Sequence, residues 1–277
     1  MKLATLRLPG RTAAVVVTDE KATEIAGYQD VGQLLANADW YAIAAAANGS
    51  NHPLTEIKDT DWAPVVPDPR KIVCVGLNYA NHIREMGREL PEFPTLFAKY
   101  PEALIGPFDP IVLPKHAGEK VDWEGELAVI IGKRASHVSA AEADQYIAGY
   151  SIMNDVTMRD YQYRTMEWLQ GKTFENTAPF GPYLVTAESF NLGGMLKTEV
   201  DGNVVQQTLT DDLVFSPAAL IEYITAIFPL NPGDVIITGT PGGVGHARKP
   251  EVYLQPGQVM TTSIEGIGSI SSPIVAG

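Results

Sequence analysis

The chain contains a single cysteine, Cys74, among 277 residues. One cysteine excludes a disulfide within the chain and a metal centre built from several thiolates. Such a composition fits a reducing compartment, so we expect a cytoplasmic location. Cys74 lies in the apolar run KIVCVGL, which predicts a buried and unreactive thiol, with a nucleophile as the alternative.

Long hydrophobic runs are also missing. No stretch approaches the roughly 18 consecutive apolar residues of a membrane span, so we expect no membrane partner. Near the N-terminus, the apolar residues are interrupted by Arg7, Pro9, Gly10 and Arg11. This pattern predicts a strand, a turn and a second strand rather than a signal peptide.

Basic residues are outnumbered. The chain has 20 Lys and Arg against 33 Asp and Glu, and its formal net charge is −13. Such a surface repels a phosphate backbone, so we expect no nucleic-acid partner. An acidic substrate would need local positive charge, either from a metal ion or from a few placed Lys and Arg side chains.

Hydrophobic residues make up 45% of the chain, which is enough for a substantial core. Residues 1–66 are predicted to be a small N-terminal α+β domain, with a strand at 12–17 and one or two helices within 31–49. The proline-rich stretch APVVPDPR marks a boundary, and residues 67–277 are predicted to be the larger domain.

The larger domain contains many short β-branched runs and few helical patterns. Helices are predicted at 139–150, with a capping-box pattern at its start, and at 216–228, with Ser216 as the N-cap. Because strands do not alternate regularly with helices, the pattern predicts a β-rich α+β fold with mixed sheets.

The segment VDWEGELAVIIGK, residues 121–133, predicts a strand that turns apolar, yet it opens with Asp122, Glu124 and Glu126. Residues two apart lie on the same side of a strand, so Glu124 and Glu126 project together, with Asp122 behind them. Their repulsion and desolvation would raise their pKa values unless a divalent cation binds, and hard oxygen ligands favour Mg²⁺, Mn²⁺ or Ca²⁺. The alternative is a solvated strand end.

Asp155 follows the strand-like run SIMN, and Arg159 and Gln162 lie on one face of the helical turn after it. Asp155 would complete a set of three carboxylates that leaves open positions for water and substrate. Arg159 and Gln162 would then bind a substrate carboxylate. The alternative is a helix-capping Asp with an Arg at the surface.

In VGLNYANHIREMG, residues 75–87, His82 and Glu85 lie three residues apart. A carboxylate that orients an imidazole keeps it basic, as deprotonation of water requires, although a surface pair is the alternative. The segment is short and polar, as expected of a mobile lid. The run GTPGGVG, residues 239–245, lacks the Lys-Ser/Thr ending of a phosphate-binding loop, so we expect its backbone to approach another kind of ligand closely.

Together these segments resemble the fumarylacetoacetate hydrolase family over roughly residues 70–275. The matching pieces occur in family order: GLNYANH with Glu85, PTLFAK, ALIGPFDPI, VDWEGELAVIIGK, NDVTMRDYQ, GKTFENTAPFGPYLVT and VIITGTPGGVG. The resemblance implies a mixed β-sheet roll or sandwich of the fumarylacetoacetase C-terminal domain type. It also implies a homodimer and one Mg²⁺ or Mn²⁺ ion per chain.

The resemblance further implies a set of site residues. The implied metal ligands are Glu124, Glu126 and Asp155. The implied catalytic residues are His82, Glu85 and Lys172. The implied substrate-binding residues are Arg159, Gln162, Thr240, Tyr79 and Lys99. The chain departs from many relatives by having Tyr100 after Lys99, and Trp168 lies before Lys172, so both aromatic side chains are expected to shape the pocket.

These residues favour hydrolysis of a C–C bond in an acylpyruvate or 2,4-diketo acid, such as a fumarylpyruvate-like compound or a diketo-deoxy sugar acid. The metal would stabilise an enolate, while His82, held by Glu85, would activate water. The same site would also serve oxaloacetate decarboxylation, keto–enol tautomerisation or 2-hydroxyhepta-2,4-diene-1,7-dioate isomerisation. The rivals from other classes are a keto-acid-binding protein without turnover and a purely structural module.

Overall fold

The computed structural model describes residues 1–80, 83 and 89–277. The N-terminal elements are β1 (Lys2–Leu8), β2 (Arg11–Val17), β3 (Lys21–Glu24), α1 (Val31–Leu35), α2 (Trp40–Ala45) and β4 (Asn51–Pro53). Next come β5 (Ile72–Gly76), β6 (Thr95–Lys99), β7 (Leu104–Ile105), β8 (Ile111–Leu113), β9 (Val121–Asp122), β10 (Gly125–Ile131), β11 (Ile147–Asn154) and β12 (Thr157–Met158).

The remaining elements are α3 (Arg159–Gln162), α4 (Leu169–Lys172), β13 (Ala178–Thr186), β14 (Met195–Val200), β15 (Asn203–Leu209), α5 (Pro217–Ile227), β16 (Val235–Ile237), β17 (Val259–Ile264) and β18 (Gly268–Ala276). Short 3₁₀ helices span Leu54–Glu56, Asp59–Asp61, Pro101–Ala103, Ala140–Tyr146, Ala187–Ser189 and Gly245–Ala247. Within the described ranges, no helix combines the length and the apolar character needed to cross a membrane.

The strands form two large mixed sheets. An eleven-stranded sheet runs β4-β3-β2-β1-β13-β11-β10-β16-β5-β6, with β7 paired to β13, and a five-stranded sheet runs β15-β14-β17-β18-β8. Most pairs are antiparallel, while β16–β5, β13–β7 and β18–β8 are parallel. The predicted β-rich α+β fold with mixed sheets is confirmed.

Strand β10 explains the apolar run of the acidic segment, because all seven of its residues are buried. Leu127, Val129 and Ile131 face one hydrophobic cluster, which includes side chains of α5 and of the five-stranded sheet. Ala128 and Ile130 face the other cluster, which includes side chains of α1 and α2. Each fully buried aliphatic side chain here contributes roughly 1.5–3 kcal/mol. A strand covered on both faces needs no polar alternation beyond its first residues.

The small N-terminal module shares this sheet, because β1 pairs with β13 as well as with β2. The predicted strand at 12–17 is confirmed by β2, and the one or two helices predicted within 31–49 are the two helices α1 and α2. The proposed domain boundary at residues 66 and 67 stays a prediction.

The helix predicted at 139–150 is wrong in its second half. A 3₁₀ helix spans Ala140–Tyr146, and Ile147 begins β11. Residues 147–150 are buried between β10 and β13, where ladder pairing outweighs the local helical signal. By contrast, α5 begins as predicted, with Ser216 Oγ accepting from the Ala219 N–H at 3.3 Å. Cys74 is buried in β5, as predicted, and its burial raises the pKa of the thiol.

Candidate active site

Strand register brings the predicted metal ligands together. In the antiparallel β10–β11 pair, Gly125 lies opposite Asn154. One position further, the Asp155 N–H donates to the Glu124 carbonyl at 2.8 Å, and the Glu124 N–H donates to Asn154 Oδ1 at 2.9 Å. Glu124 and Asp155 therefore lie side by side at the end of the strand pair. Glu126 lies two residues after Glu124, with Gly125 beginning β10 between them, and this spacing in extended backbone places both side chains on the same side.

One carboxylate oxygen from each of Glu124, Glu126 and Asp155 lies within 4.8 Å of the others, and all three residues are buried. Burial, followed by the charges of Asp155 and Glu124, raises the pKa of Glu126 well above its ordinary value. Glu126 Oε2 accepts the Gly239 N–H at 2.7 Å, but no described cation pairs with Glu126. Three buried oxygen donors with one uncompensated charge fit a hard divalent cation.

Two lysines lie against the other carboxylates. Lys172 Nζ contacts Glu124 Oε2 and lies 2.9 Å from Asp155 Oδ2. Lys99 Nζ lies 2.9 Å from Asp155 Oδ1 and also contacts the Lys172 carbonyl. Burial alone would raise the pKa of Asp155, but the two ammonium groups hold it below its ordinary value. Burial likewise lowers the pKa of Lys172, but Asp155 and Glu124 outweigh it, so the net shift is upward.

Asp122 is the fourth buried carboxylate of the cluster, and it holds Arg159 in place. Arg159 Nε donates to Asp122 Oδ2 at 2.9 Å, and its Nη2 lies 2.8 Å from Asp122 and 2.7 Å from Glu124. From α3, Arg159 Nη1 donates to Gln162 Oε1 at 2.8 Å, which confirms that these two side chains share a face. Burial lowers the pKa of Arg159, but Glu124 and Asp122 raise it further.

The charges of this cluster do not cancel. Four buried carboxylates face three buried cations, Lys99, Lys172 and Arg159. The described cluster therefore carries a formal surplus of one negative charge. A divalent ion would reverse the sign, which makes the site attractive to an anionic ligand despite the acidic surface. When such an ion binds, Glu124, Glu126 and Asp155 are the residues that would hold it.

A cavity of about 230 Å³ opens over the cluster. Its lining includes the acidic and basic side chains of the cluster together with loop residues from the rest of the chain: Val75, Gly76, Leu77, Phe97, Glu124, Glu126, Arg159, Gln162, Tyr163, Trp168, Lys172, Thr240, Val244, His246 and Ala247. Trp168 therefore lies in the pocket wall as expected, whereas Tyr100 is 52% exposed and is not among the lining residues.

The glycine-rich loop contributes Thr240 to this wall. Thr240 Oγ1 donates to the Gly125 carbonyl at 3.1 Å and accepts from Gln206 Nε2 at 2.8 Å. Gly239 before it has a φ of +97°, and a Cβ there would lie 2.9 Å from the Val75 carbonyl oxygen. The loop thus needs glycine for its close approach to β5.

Other predicted residues lie elsewhere. Tyr79 is fully buried and lines a neighbouring cavity of about 860 Å³, and burial together with Glu126 raises the pKa of its hydroxyl. Lys99 lies behind Asp155 and is not a lining residue of the smaller cavity. His82 and Glu85 lie outside the described residues. Substrate contacts for Tyr79 and Lys99, and the catalytic roles of His82 and Glu85, stay predictions.

Sequence reasoning missed three contributors. Asp122 was placed behind the other acids, but its pairing with Arg159 was not predicted. His246 directly follows the glycine-rich loop, which is the one signal that could have found it. Gln206 Oε1 accepts the Gly125 N–H at 3.0 Å from a strand 81 residues away, and nothing local in the sequence indicates that contact.

Comparisons with known proteins agree with this geometry. The family model described as fumarylacetoacetate hydrolase, C-terminal, matches residues 71–275. The mitochondrial oxaloacetate tautomerase of Xenopus laevis is 40% identical over 237 residues, covering 83% of this chain and 73% of that protein. Among solved structures, fumarylacetoacetate hydrolase from Exiguobacterium antarcticum matches with a TM-score of 0.89 at 32% identity, covering 100% of both chains. The 2-hydroxyhepta-2,4-diene-1,7-dioate isomerase from Mycobacterium marinum matches with a TM-score of 0.80 at 32% identity, covering 100% of this chain and 98% of the other.

Proposed function

Because the chain belongs to the fumarylacetoacetate hydrolase family and is an enzyme of that family, we propose that it interconverts the keto and enol forms of an oxaloacetate-type 2-keto acid with the help of a divalent metal ion. The observation that carries this proposal is the buried set of Glu124, Glu126 and Asp155, of which Glu124 and Glu126 line the small cavity. The name of the Xenopus laevis relative supports the choice of substrate.

The reaction moves one proton. In the keto-to-enol direction a C–H bond next to the keto carbon breaks, its electrons form the C=C bond, and the keto oxygen gains a proton. A bound divalent ion would supply a Lewis acid for the oxygen on which negative charge develops. Lys172 stands beside the predicted ligands Glu124 and Asp155, where its ammonium would stabilise the same charge.

The remaining pocket side chains would bind and orient the substrate. Gln162 is held by Arg159 through its oxygen, which leaves its amide hydrogens for a substrate carboxylate. Trp168 and Phe97 pack edge to face, with ring centroids 5.4 Å apart, and cover one side of the pocket. His82, oriented by Glu85, stays our predicted base.

C–C bond hydrolysis, the reaction that the sequence analysis favoured, is the second candidate. The full-length match to a fumarylacetoacetate hydrolase supports hydrolysis. The oxaloacetate tautomerase relative supports keto–enol tautomerisation more strongly. We also propose a homodimer that acts on a small-molecule keto acid, with no nucleic-acid or membrane partner. The Xenopus laevis relative is named as mitochondrial, so the cytoplasmic location stays a prediction.

The test follows the ultraviolet absorbance of enol-oxaloacetate as it converts to the keto form, with Mg²⁺ or Mn²⁺ and with EDTA. We expect metal-dependent acceleration that Asp155→Asn abolishes. Asp144→Asn is the matched control, because this carboxylate is exposed. NMR of products from acetylpyruvate, fumarylpyruvate and oxaloacetate distinguishes the candidates. C–C cleavage without tautomerase acceleration would overturn the proposal in favour of hydrolysis, and acceleration that persists in EDTA would remove the metal from it.

A further inference from the structure

One pocket side chain, His246, has no role in the chemistry above. It lies in the 3₁₀ helix Gly245–Ala247, directly after the glycine-rich loop. Its backbone N–H donates to Asp122 Oδ2 at 2.9 Å, and the Gly245 N–H donates to Asp122 Oδ1 at 2.7 Å. Because Asp122 also holds Arg159, the backbone that carries His246 is anchored to the charged cluster itself.

The ring of His246 is oriented by three neighbours. The Tyr253 hydroxyl donates its one hydrogen to Glu251 Oε2 at 2.8 Å. Tyr253 therefore accepts from His246 Nδ1, 2.9 Å away, so Nδ1 carries a hydrogen. Glu251 Oε1 lies 3.4 Å from the same nitrogen and supplies negative charge. On the other side the Tyr163 ring packs against the imidazole, with centroids 5.0 Å apart and an interplanar angle of 32°.

These contacts leave Nε2 without a hydrogen-bond partner among the described residues. The other basic side chains of the pocket lining are already paired. Arg159 binds Asp122, Glu124 and the oxygen of Gln162, and Lys172 binds Glu124 and Asp155. Within the described lining, His246 is thus the basic side chain with an uncommitted nitrogen.

We propose that His246 donates from Nε2 to the second carboxylate of a 2-keto dicarboxylate, with both ring nitrogens carrying hydrogen in that complex, and so selects keto diacids over keto monoacids. This rests on the proposed function of the same pocket, whose keto-acid end would lie at the carboxylate cluster. The small cavity favours a short diacid. A charge-assisted hydrogen bond of this kind is worth roughly ten- to hundred-fold in affinity.

The test is isothermal titration of the Mg²⁺-loaded protein with 2-oxoglutarate and with 2-oxopentanoate, which lacks the second carboxylate. We expect wild type to bind 2-oxoglutarate about ten-fold more tightly or better. His246→Phe keeps a ring against Tyr163 and should abolish the difference while leaving 2-oxopentanoate affinity unchanged. His116→Phe is the matched control, because His116 packs against Tyr161 and Phe174 but does not line the pocket.

Several results would overturn the inference: no preference in wild type, no binding of either acid, an equal loss of both affinities in His246→Phe, or no loss at all. If His246→Phe does not fold, His246→Gln gives the same comparison with a smaller, uncharged donor. The titration needs no turnover, so it separates the two proposals. A His246-dependent preference in a protein that fails to tautomerise oxaloacetate would leave this inference standing and reject the proposed function.

Discussion

Replacing Lys172 by Met tests whether the buried charges and the metal site are coupled. Met keeps most of the apolar stem but removes the ammonium that contacts Glu124 and Asp155. The two carboxylates then lose one of their cations while staying buried. In wild type, a metal ion that binds these oxygens must compete with Lys172, whereas in the variant it meets no such competitor.

The expected loss of stability in Lys172→Met follows from the burial of the ion pairs that Lys172 makes. Breaking a buried ion pair by removing one partner costs about 3–5 kcal/mol, because the other charge is left uncompensated. For a chain of this length, roughly 2 °C per kcal/mol predicts a melting temperature about 6–10 °C lower in EDTA. Mg²⁺ at about a hundred times its Kd stabilises a folded protein by about 2.7 kcal/mol, so it should restore roughly half to nine-tenths of the loss.

The assay is thermal unfolding followed by circular dichroism, in EDTA and across a Mg²⁺ titration. We expect Mg²⁺ to raise the melting temperature of Lys172→Met by more than it raises that of wild type. Lys197→Met is the matched control, because Lys197 is 35% exposed and pairs with Glu199 at 3.0 Å, a contact worth about 0–1 kcal/mol. A Mg²⁺ response in Lys172→Met equal to or smaller than that of wild type would refute the coupling.

The remaining predictions concern single contacts. Asp155→Asn should weaken Mg²⁺ binding in calorimetry by at least the roughly 10–100-fold that outer-shell partners cost, and unchanged affinity would show that the ligand assignment is wrong. Gly125→Ala should cost about 1–3 kcal/mol in urea unfolding, because its Cβ would lie 2.3 Å from Thr198 Oγ1; an unchanged midpoint would mean that the strands yield easily. Ser216→Ala should cost about 0.5–2 kcal/mol in the same assay through loss of the cap to Ala219, and no change would contradict that role.

The charge balance also bears on how an acidic protein handles an acidic ligand. The whole chain carries a net charge of −13, and the described cluster keeps one surplus negative charge of its own. The sign of the cluster's net charge therefore depends on whether a divalent ion is bound. In EDTA we expect keto acids to bind poorly, because the described cluster then keeps its surplus negative charge and repels an anion.

Local sequence was sufficient for features that depend on neighbours along one strand or helix. The spacing of Glu124 and Glu126 puts both side chains on one side of the extended segment that leads into β10, and Ser216 caps α5. The apolar run after Glu126 likewise predicted a buried strand, which β10 confirms. Each of these inferences uses either the two-residue alternation of side chains along a strand or the spacing of about one helical turn, and backbone geometry sets both.

Contacts between distant segments were decided by tertiary structure, because register and packing, not spacing, determine them. The hydrogen bond from Gly125 to Gln206, and the presence of His246 and Arg159 in the lining of one cavity, depend on how whole strands and loops pack together. The helix expected through residue 150 ended at Tyr146 for the same reason, since β11 gains two neighbouring strands by extending from Ile147. Local propensity is worth tenths of a kcal/mol per residue, and burial between two strands exceeds it.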